Sequence, residues 1–451
     1  MITLERATAL GIYLEPSPSS SLRVGTLSRD RDGSVRFLVD DGYLAFGPGR
    51  PVLSLAWKGR SEDDSIQRLL SSRDKLSRGG YLPPFFQNLL PEGALRDLVD
   101  REFGTGNFDD FDVLARLGED LPGAVIARVE AIEVDNRPSS AQARSHPPAK
   151  SPVQAGRIKF SLAGIQLKFS VVESERGVTL PGRDQDGNVI LKLPSERHAC
   201  LPEVEYAGLI LAADAGVSTA ESWLVDIGEI DGIPEEYLKG GRYALAVRRF
   251  DRGPGGLRVH TEDFAQIIGA TGERKYTMAN DETNLNMIRR FAGDWSDQIL
   301  EGVRRIVVNI MLGNGDAHLK NWSFLLDGAW PKLTPAYDLV PTFLYGDQSM
   351  ALKFGGTSDP AKVTLHRFAR AASLMKASPD LVVGEVRRTT ERILDEWPKR
   401  LHELPLRDDD KGRIIDRWKT LQLVDEVAPR YFGIILVVMV VLAISVRVMG
   451  A

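Results

Sequence analysis

The sequence predicts an α+β protein of two lobes, on three observations. Short apolar runs alternating with polar and turn residues dominate residues 20–57, the pattern of half-buried strands. Strand-like runs return at "RIKFSLAGIQLKFSVVE" and "VILKLP". From Thr261 onward the apolar spacing is mostly three and four residues, the helical period. Strands first and helices after favour α+β over a regular βαβ alternation.

In chain order, Asp32-Gly33 between "VGTL" and "VRFLV" signals a hairpin. Helices are expected in "SIQRLLSSRDKL", "FFQNLLPEGALRDLVDREFG" and "DDFDVLARLGED". The stretch "DNRPSSAQARSHPPAKSPVQAG" is too poor in apolar side chains to offset chain entropy and divides the chain as a linker. Beyond it, the helix "EVEYAGLILAADAG" and the strands "SWLVDI" and "YALAVRRFD" follow "VILKLP". The acidic run Asp408–Asp410 reads as a loop. The expected organisation is a β-containing module over 1–130, a linker over 131–156, a mixed lobe over 157–255 and a helical lobe over 256–430. A hydrophobic tail, 431–451, ends the chain. Its uncharged run "YFGIILVVMVVLAISV" is short for a membrane span, which needs about 20 residues. It reads as a buried terminal element, with a short membrane anchor as the alternative.

Over 451 residues, 43% are apolar and 26% charged, a soluble globular composition. The net charge of −5 gives no global nucleic-acid footprint. A single cysteine, Cys200, excludes an internal disulfide and a cysteine zinc cluster. It favours a reducing compartment, the cytoplasm. The opening "MITLERATALGIYLEPSPSS" does not read as a signal peptide.

The densest polar stretch is "LGNGDAHLKNWSFLLDG", residues 312–328, set between apolar runs. Asp316 and Asn321 form D-x-x-x-x-N, and Asp338 follows in "TPAYDLVPT". Phosphoryl transfer needs a carboxylate to accept the proton of an attacking hydroxyl, and oxygen ligands for Mg²⁺. Asp316, Asn321 and Asp338 supply that set in the chain order of protein kinases. The same residues also fit a polar loop capping a helix, or a metal site using His318 with Asp316 and Asp338. Lys192, alone in the apolar run "VILKLP", needs a partner if buried. Glu205 in the next helix could supply it, as a helix glutamate does in kinases. "SLAGIQLK", Ser161–Lys168, could cover phosphates, but with one glycine it is also a plain hairpin.

Seven stretches in order resemble the HipA family of toxin serine/threonine kinases. They are "GYLPPFFQNLLPEGALRDLV", "FSLAGIQLKFS", "VILKLP", "VRRFDR", "HTEDFAQ", "NGDAHLKNWSFL" and "LTPAYDLVPT". The resemblance implies a two-lobed protein-kinase-like fold, with a small β-containing amino-terminal subdomain and a mostly helical carboxy-terminal lobe. It implies ATP and Mg²⁺ as cofactors, with Asp316 as catalytic base and Asn321 and Asp338 as metal ligands. Nucleotide contacts would come from Ala163, Gly164, Ile165, Gln166, Leu167 and Lys168 in the covering loop, and from Lys192 on its strand. Arg248 and Phe250 would lie near the adenine and Asp251 near the ribose, with Arg249 also a nucleotide contact. His318, Leu319, Lys320, Asn321, Tyr337 and Asp338 would complete the nucleotide site, and Ser161 would be autophosphorylated. The implied partners are a protein substrate, such as an aminoacyl-tRNA synthetase or other translation component, and a helix-turn-helix antitoxin of HipB type. DNA would be reached through the antitoxin complex. An inactive kinase-fold corepressor and a small-molecule phosphotransferase are the alternatives.

Overall fold

The computed structural model describes residues 4–93, 96, 99–100, 108–135, 167–174, 177–180 and 186–429. The tail and most of the expected linker lie outside them. By internal contacts the chain divides into two units. The first comprises Met1–Pro202, Glu221–Met278 and Ser323–Thr334; the second comprises Glu203–Ala220, Ala279–Trp322 and Pro335–Ala451. The architecture is α+β, with helices and strands in both expected regions.

The first unit holds three sheets. Strands β1 (Leu4–Ser17), β2 (Ser20–Arg29), β3 (Val35–Val39), β4 (Leu76–Ser77) and β5 (Val125–Asp135) form an antiparallel sheet in the order β4-β3-β2-β1-β5. The Asp32-Gly33 hairpin joins β2 to β3, with Gly33 at φ 78°. Residues 131–135, expected in the linker, complete β5 because they pair with β1, Leu4 opposite Asp135. Against this sheet stand helices α1 (Glu62–Leu70) and α2 (Asp110–Leu117). The Asp109 and Asp112 side chains cap α2 reciprocally, satisfying amino-terminal N–H groups that would otherwise be orphaned. Where one long helix was expected from Phe85, the helix is interrupted: Pro84–Gln87 forms a short turn, and helical residues return at Gly93, Arg96, Val99 and Asp100, after Pro91, which cannot donate a helical hydrogen bond.

The second sheet contains β6 (Lys168–Ser174), β7 (Gly177–Thr179), β8 (Val189–Lys192), β9 (Ser222–Asp226), β10 (Ile230–Asp231) and β11 (Tyr243–Arg248), ordered β10-β7-β6-β8-β11-β9. Phe169, Val171, Val189 and Leu191 are buried in one apolar core with Leu10, Ile12 and Phe37 of the first sheet and with Phe86 of the Pro84–Gln87 turn. That shared core is why the amino-terminal module and the mixed lobe form one unit. Strands β12 (Thr261–Asp263), β13 (Ser323–Leu325) and β14 (Lys332–Leu333) make a small third sheet inside the region read as helical.

The second unit is built on helices α3 (Leu201–Asp214), α4 (Asp281–Phe291), α5 (Trp295–Leu312), α6 (Leu365–Leu374), α7 (Pro379–Glu403) and α8 (Asp408–Trp418). The Asp408–Asp410 run is not a loop but the first turn of α8. Acids there complement the helix dipole, and buried Asp410 also pairs with Arg407 and Arg413. Among the described residues no helix is long and apolar enough to cross a membrane.

Glu262 on β12 is fully buried, accepting hydrogen bonds from Ser54 Oγ at 2.5 Å and Leu55 N at 2.7 Å. Burial pushes its carboxyl up from 4.5 to about 8, against the lowering effect of those two donors. The folded value stands above the unfolded one, so the stability tied to its proton is complete below about pH 4.5 and is lost as pH rises through about 8. Inside that window each pH unit removes about 1.4 kcal/mol. Thermal melts from pH 6 to 9 should show the native protein losing stability while Glu262→Gln, which is neutral throughout, loses markedly less. Parallel profiles would show that Glu262 carries no such proton.

Candidate active site

The loop after α5 starts where the helix must stop. Gly313, at φ 74°, takes the left-handed cap, donating its N–H to Asn309 O and Ile310 O. No side chain fits there, since a Cβ would lie 2.5 Å from the Phe343 ring. The next residues satisfy one another. Asn314 Oδ1 accepts from Asp316 N at 3.1 Å, while its Nδ2 donates to Asn309 Oδ1 at 3.0 Å and to Asp338 O at 3.4 Å. Gly315 N donates to Thr342 Oγ1 at 2.7 Å. Asn321 Oδ1 accepts from His318 N at 3.0 Å, closing a capped 3-10 turn over Leu319–Asn321. Tyr337 Oη donates to Lys320 O at 2.8 Å.

Two segments far apart in sequence therefore meet. Asn321 Nδ2 lies 3.3 Å from Asp338 Oδ2. Asp338 has φ 54°, one of three non-glycine residues with positive φ among the described residues. Aspartate tolerates that region better than most residues, yet it still carries strain, which clusters at functional sites. The segment is pinned from the other side: Ala336 N donates to Ser218 O, and Ala220 N to Ala336 O. Ser218 N in turn donates to Glu301 on α5 at 3.2 Å. Asp316, Asn321 and Asp338 thus stand in one hydrogen-bonded assembly with His318, Lys320 and Tyr337. Asn314 and Thr342 hold it together, and spacing alone did not single them out. Their only signal was polarity between apolar runs.

A carboxylate and a carboxamide in contact are hard oxygen donors, the set Mg²⁺ prefers. Asn321 and Asp338 carry donor types suited to the expected metal, but they meet here through the Asn321 Nδ2, while its Oδ1 accepts from His318 N. Among the described residues no group of three or more His, Cys, Asp or Glu could hold a metal ion.

The first unit holds the other expected residues. Lys192 ends β8 directly opposite Lys168 on β6, and the two are 5% and 7% exposed. Cross-strand neighbours project to the same face. Like charges directly opposite each other on a strand pair repel unless anionic charge stands near. Lys168 is thus a strand residue, and of the expected covering loop only Leu167 and Lys168 are described. Ser161, Ala163, Gly164, Ile165 and Gln166 lie outside the described residues. Glu205, 1% exposed on α3, belongs to the second unit.

The expected hinge divides. Arg248 pairs with Glu173 at 2.9 Å and Glu221 at 2.8 Å and lies over the Trp223 ring. Phe250 is half-buried. Arg249 is buried and forks onto Asp251 through two bonds of 3.0 and 2.9 Å, reaching also Asp120 and Ser170. Asp251 further accepts from Arg252 and from Gly123 N, both at 2.8 Å. Burial alone would raise the Asp251 carboxyl, but the charges of Arg249 and Arg252 hold it well below the usual range. With its oxygens so engaged, Asp251 is a structural counter-charge, and the ribose contact expected of it finds no support in this geometry. Asp251→Asn should lower the urea unfolding midpoint strongly, by about 3 kcal/mol of stability, because two buried guanidinium groups lose one of the two anions they share. A midpoint within error of the parent, with weaker nucleotide binding, would restore the ribose role.

Residues 160–397 match the HipA-like C-terminal domain family, and residues 19–128 match the HipA N-terminal domain family. Y4dM of Sinorhizobium fredii is 35% identical over 433 residues, covering 94% of this chain and all of that protein. The serine/threonine-protein kinase toxin HipA of Shewanella oneidensis is 25% identical over 391 residues, covering 80% of this chain and 86% of its own length. A solved complex of Shewanella oneidensis HipA and HipB with operator DNA contains a chain of the same fold, with TM-score 0.66 and 21% identity. The likeness covers 93% of this chain and 99% of that one. The two domain matches and the full-length relative agree with the ordered motifs: the chain belongs to the HipA family of kinases.

Proposed function

We propose that the chain is an ATP- and Mg²⁺-dependent serine/threonine protein kinase acting as the toxin of a HipA/HipB-type module in the cytoplasm. The observation that carries the reading is the Asn321–Asp338 contact of 3.3 Å, with Asp316 ordered in the same loop. In this reading Asp316 accepts the proton of the substrate hydroxyl as it attacks the γ-phosphate. Lys168 and Lys192 neutralise phosphate charge. Asn321 and Asp338 would hold Mg²⁺, which when bound offsets the charge on the transferring phosphoryl group. For its amide oxygen to serve as a ligand, Asn321 would have to give up the bond it accepts from His318 N. His318, Leu319, Lys320 and Tyr337 line the nucleotide site, and Ser161 is the autophosphorylation site.

The substrate class inferred from the family is a protein of the translation apparatus, aminoacyl-tRNA synthetases first. The partner is a helix-turn-helix antitoxin of HipB type, and DNA is engaged through that complex. The solved relative bound with HipB and operator DNA supports this.

Incubation with Mg²⁺ and labelled ATP, followed by phosphopeptide mapping, tests the reading. Asp316→Asn should lower transfer by about 10²–10⁴-fold, the usual weight of a general base. Label on Ser161 in the parent supports both the kinase activity and the autophosphorylation site, and label elsewhere removes only the Ser161 assignment. Bound ATP with no labelled polypeptide would favour the inactive corepressor, or a small-molecule kinase if ATP is still consumed with an added acceptor.

A further inference from the structure

Helix α3 carries a glycine, Gly208, in its buried middle. Glycine there weakens a helix relative to alanine, so something must exclude the methyl group. A Cβ on Gly208 would lie 1.9 Å from Leu339 O and 3.3 Å from Leu312 Cδ2. Leu312 is the last residue of α5 before the catalytic loop, and Leu339 directly follows Asp338. The bare backbone of α3 therefore touches both segments that carry the proposed metal ligands.

The helix cannot back away to make room. Trp397 Nε1 on α7 donates to Leu211 O at 2.7 Å, and Arg400 pairs with Asp214 at the same distance. Ser218 and Ala220, just past the helix, are laddered to Ala336. Any atom added at Gly208 must be accommodated by movement at 338–340, where Asp338 already holds a strained left-handed backbone.

We propose that Gly208 is a positioning residue: its missing side chain sets the depth of the Leu339 carbonyl, and so the reach of Asp338 toward Asn321. The proposal rests on Asp338 and Asn321 being the metal ligands of the reading above. It concerns this chain's own packing, and it marks α3 as a fixed support whose seat is built into the sequence at one position.

The test is Mn²⁺ affinity in the presence of the β,γ-imido analogue of ATP, read by the electron paramagnetic resonance signal of free Mn²⁺. Gly208→Ala should bind Mn²⁺ about tenfold more weakly, the usual scale when a residue orienting a ligand is disturbed. The control is Gly118→Ala, which brings a Cβ within 2.0 Å of Ala127 O in the first unit. It makes the same clash with a backbone carbonyl away from the ligands and should leave Mn²⁺ affinity within twofold of the parent. Trp397→Phe, which removes the α7 hydrogen bond to Leu211 O on α3, offers a milder variant should Gly208→Ala fail to fold. It should also weaken Mn²⁺, by less. Parent-like affinity in Gly208→Ala, equal loss in both glycine variants, or no weakening in Trp397→Phe would overturn the proposal. A parent that binds no Mn²⁺ with the nucleotide would overturn it together with the metal assignment. Selective loss in Gly208→Ala, in a protein that transfers no phosphate to any polypeptide, would support the positioning role while removing the kinase reading.

Discussion

The constraint on which the second unit depends is the seat of Asp338. A left-handed aspartate is held by a carbonyl contact to Asn314, a side-chain contact to Asn321 and a ladder from Ala336 to Ser218 and Ala220. None of these is strong alone, since a typical intramolecular hydrogen bond contributes about 1 kcal/mol net. Together they tie the end of α5, the loop carrying Asp316 and the Tyr337–Asp338 segment into one polar network. Its groups are crowded between apolar walls, where an unmade bond costs more than a made one gains. That asymmetry keeps the loop ordered.

The first unit depends on a different solution to buried polarity. Arg249 and Arg252 share Asp120 and Asp251. Asp120 belongs to the amino-terminal module, and the other three follow β11. The cluster adds a polar lock to the continuous core through which the two sheets already pack. Removing one anion leaves uncompensated guanidinium charge, so the same residues that look like a hinge in sequence act as a joint in structure. Lys168 and Lys192 are the complementary case: charge buried on one strand pair, which the proposed function assigns to phosphate.

Much of this was legible in the residues. The Asp32-Gly33 turn is where it was expected, because only a small backbone conforms to φ 78° there. The helical spacing read from Thr261 onward includes α5, and Asn321 of the D-x-x-x-x-N loop meets Asp338. Local pattern failed where the deciding partner is remote. The resemblance placed Asp251 at the ribose, and its salt-bridge cluster was out of sight because Asp120, which completes it, lies over a hundred residues earlier. Gly208 looked like any small residue in an apolar helix, since the Leu339 carbonyl that excludes a side chain is invisible in periodicity. Asp408–Asp410 looked like a loop because helix dipoles and the pairing of Asp410 with Arg413 act only once the helix exists.

The most direct measurement is a double-mutant cycle on the Mg²⁺ dependence of phosphate transfer, using Asn321→Ala, Asp338→Asn and both together. If the two side chains hold one ion, the losses are coupled: the double variant is scarcely worse than Asp338→Asn alone. Strictly additive losses would mean that Asn321 and Asp338 act independently, and would contradict the paired site on which the functional reading stands.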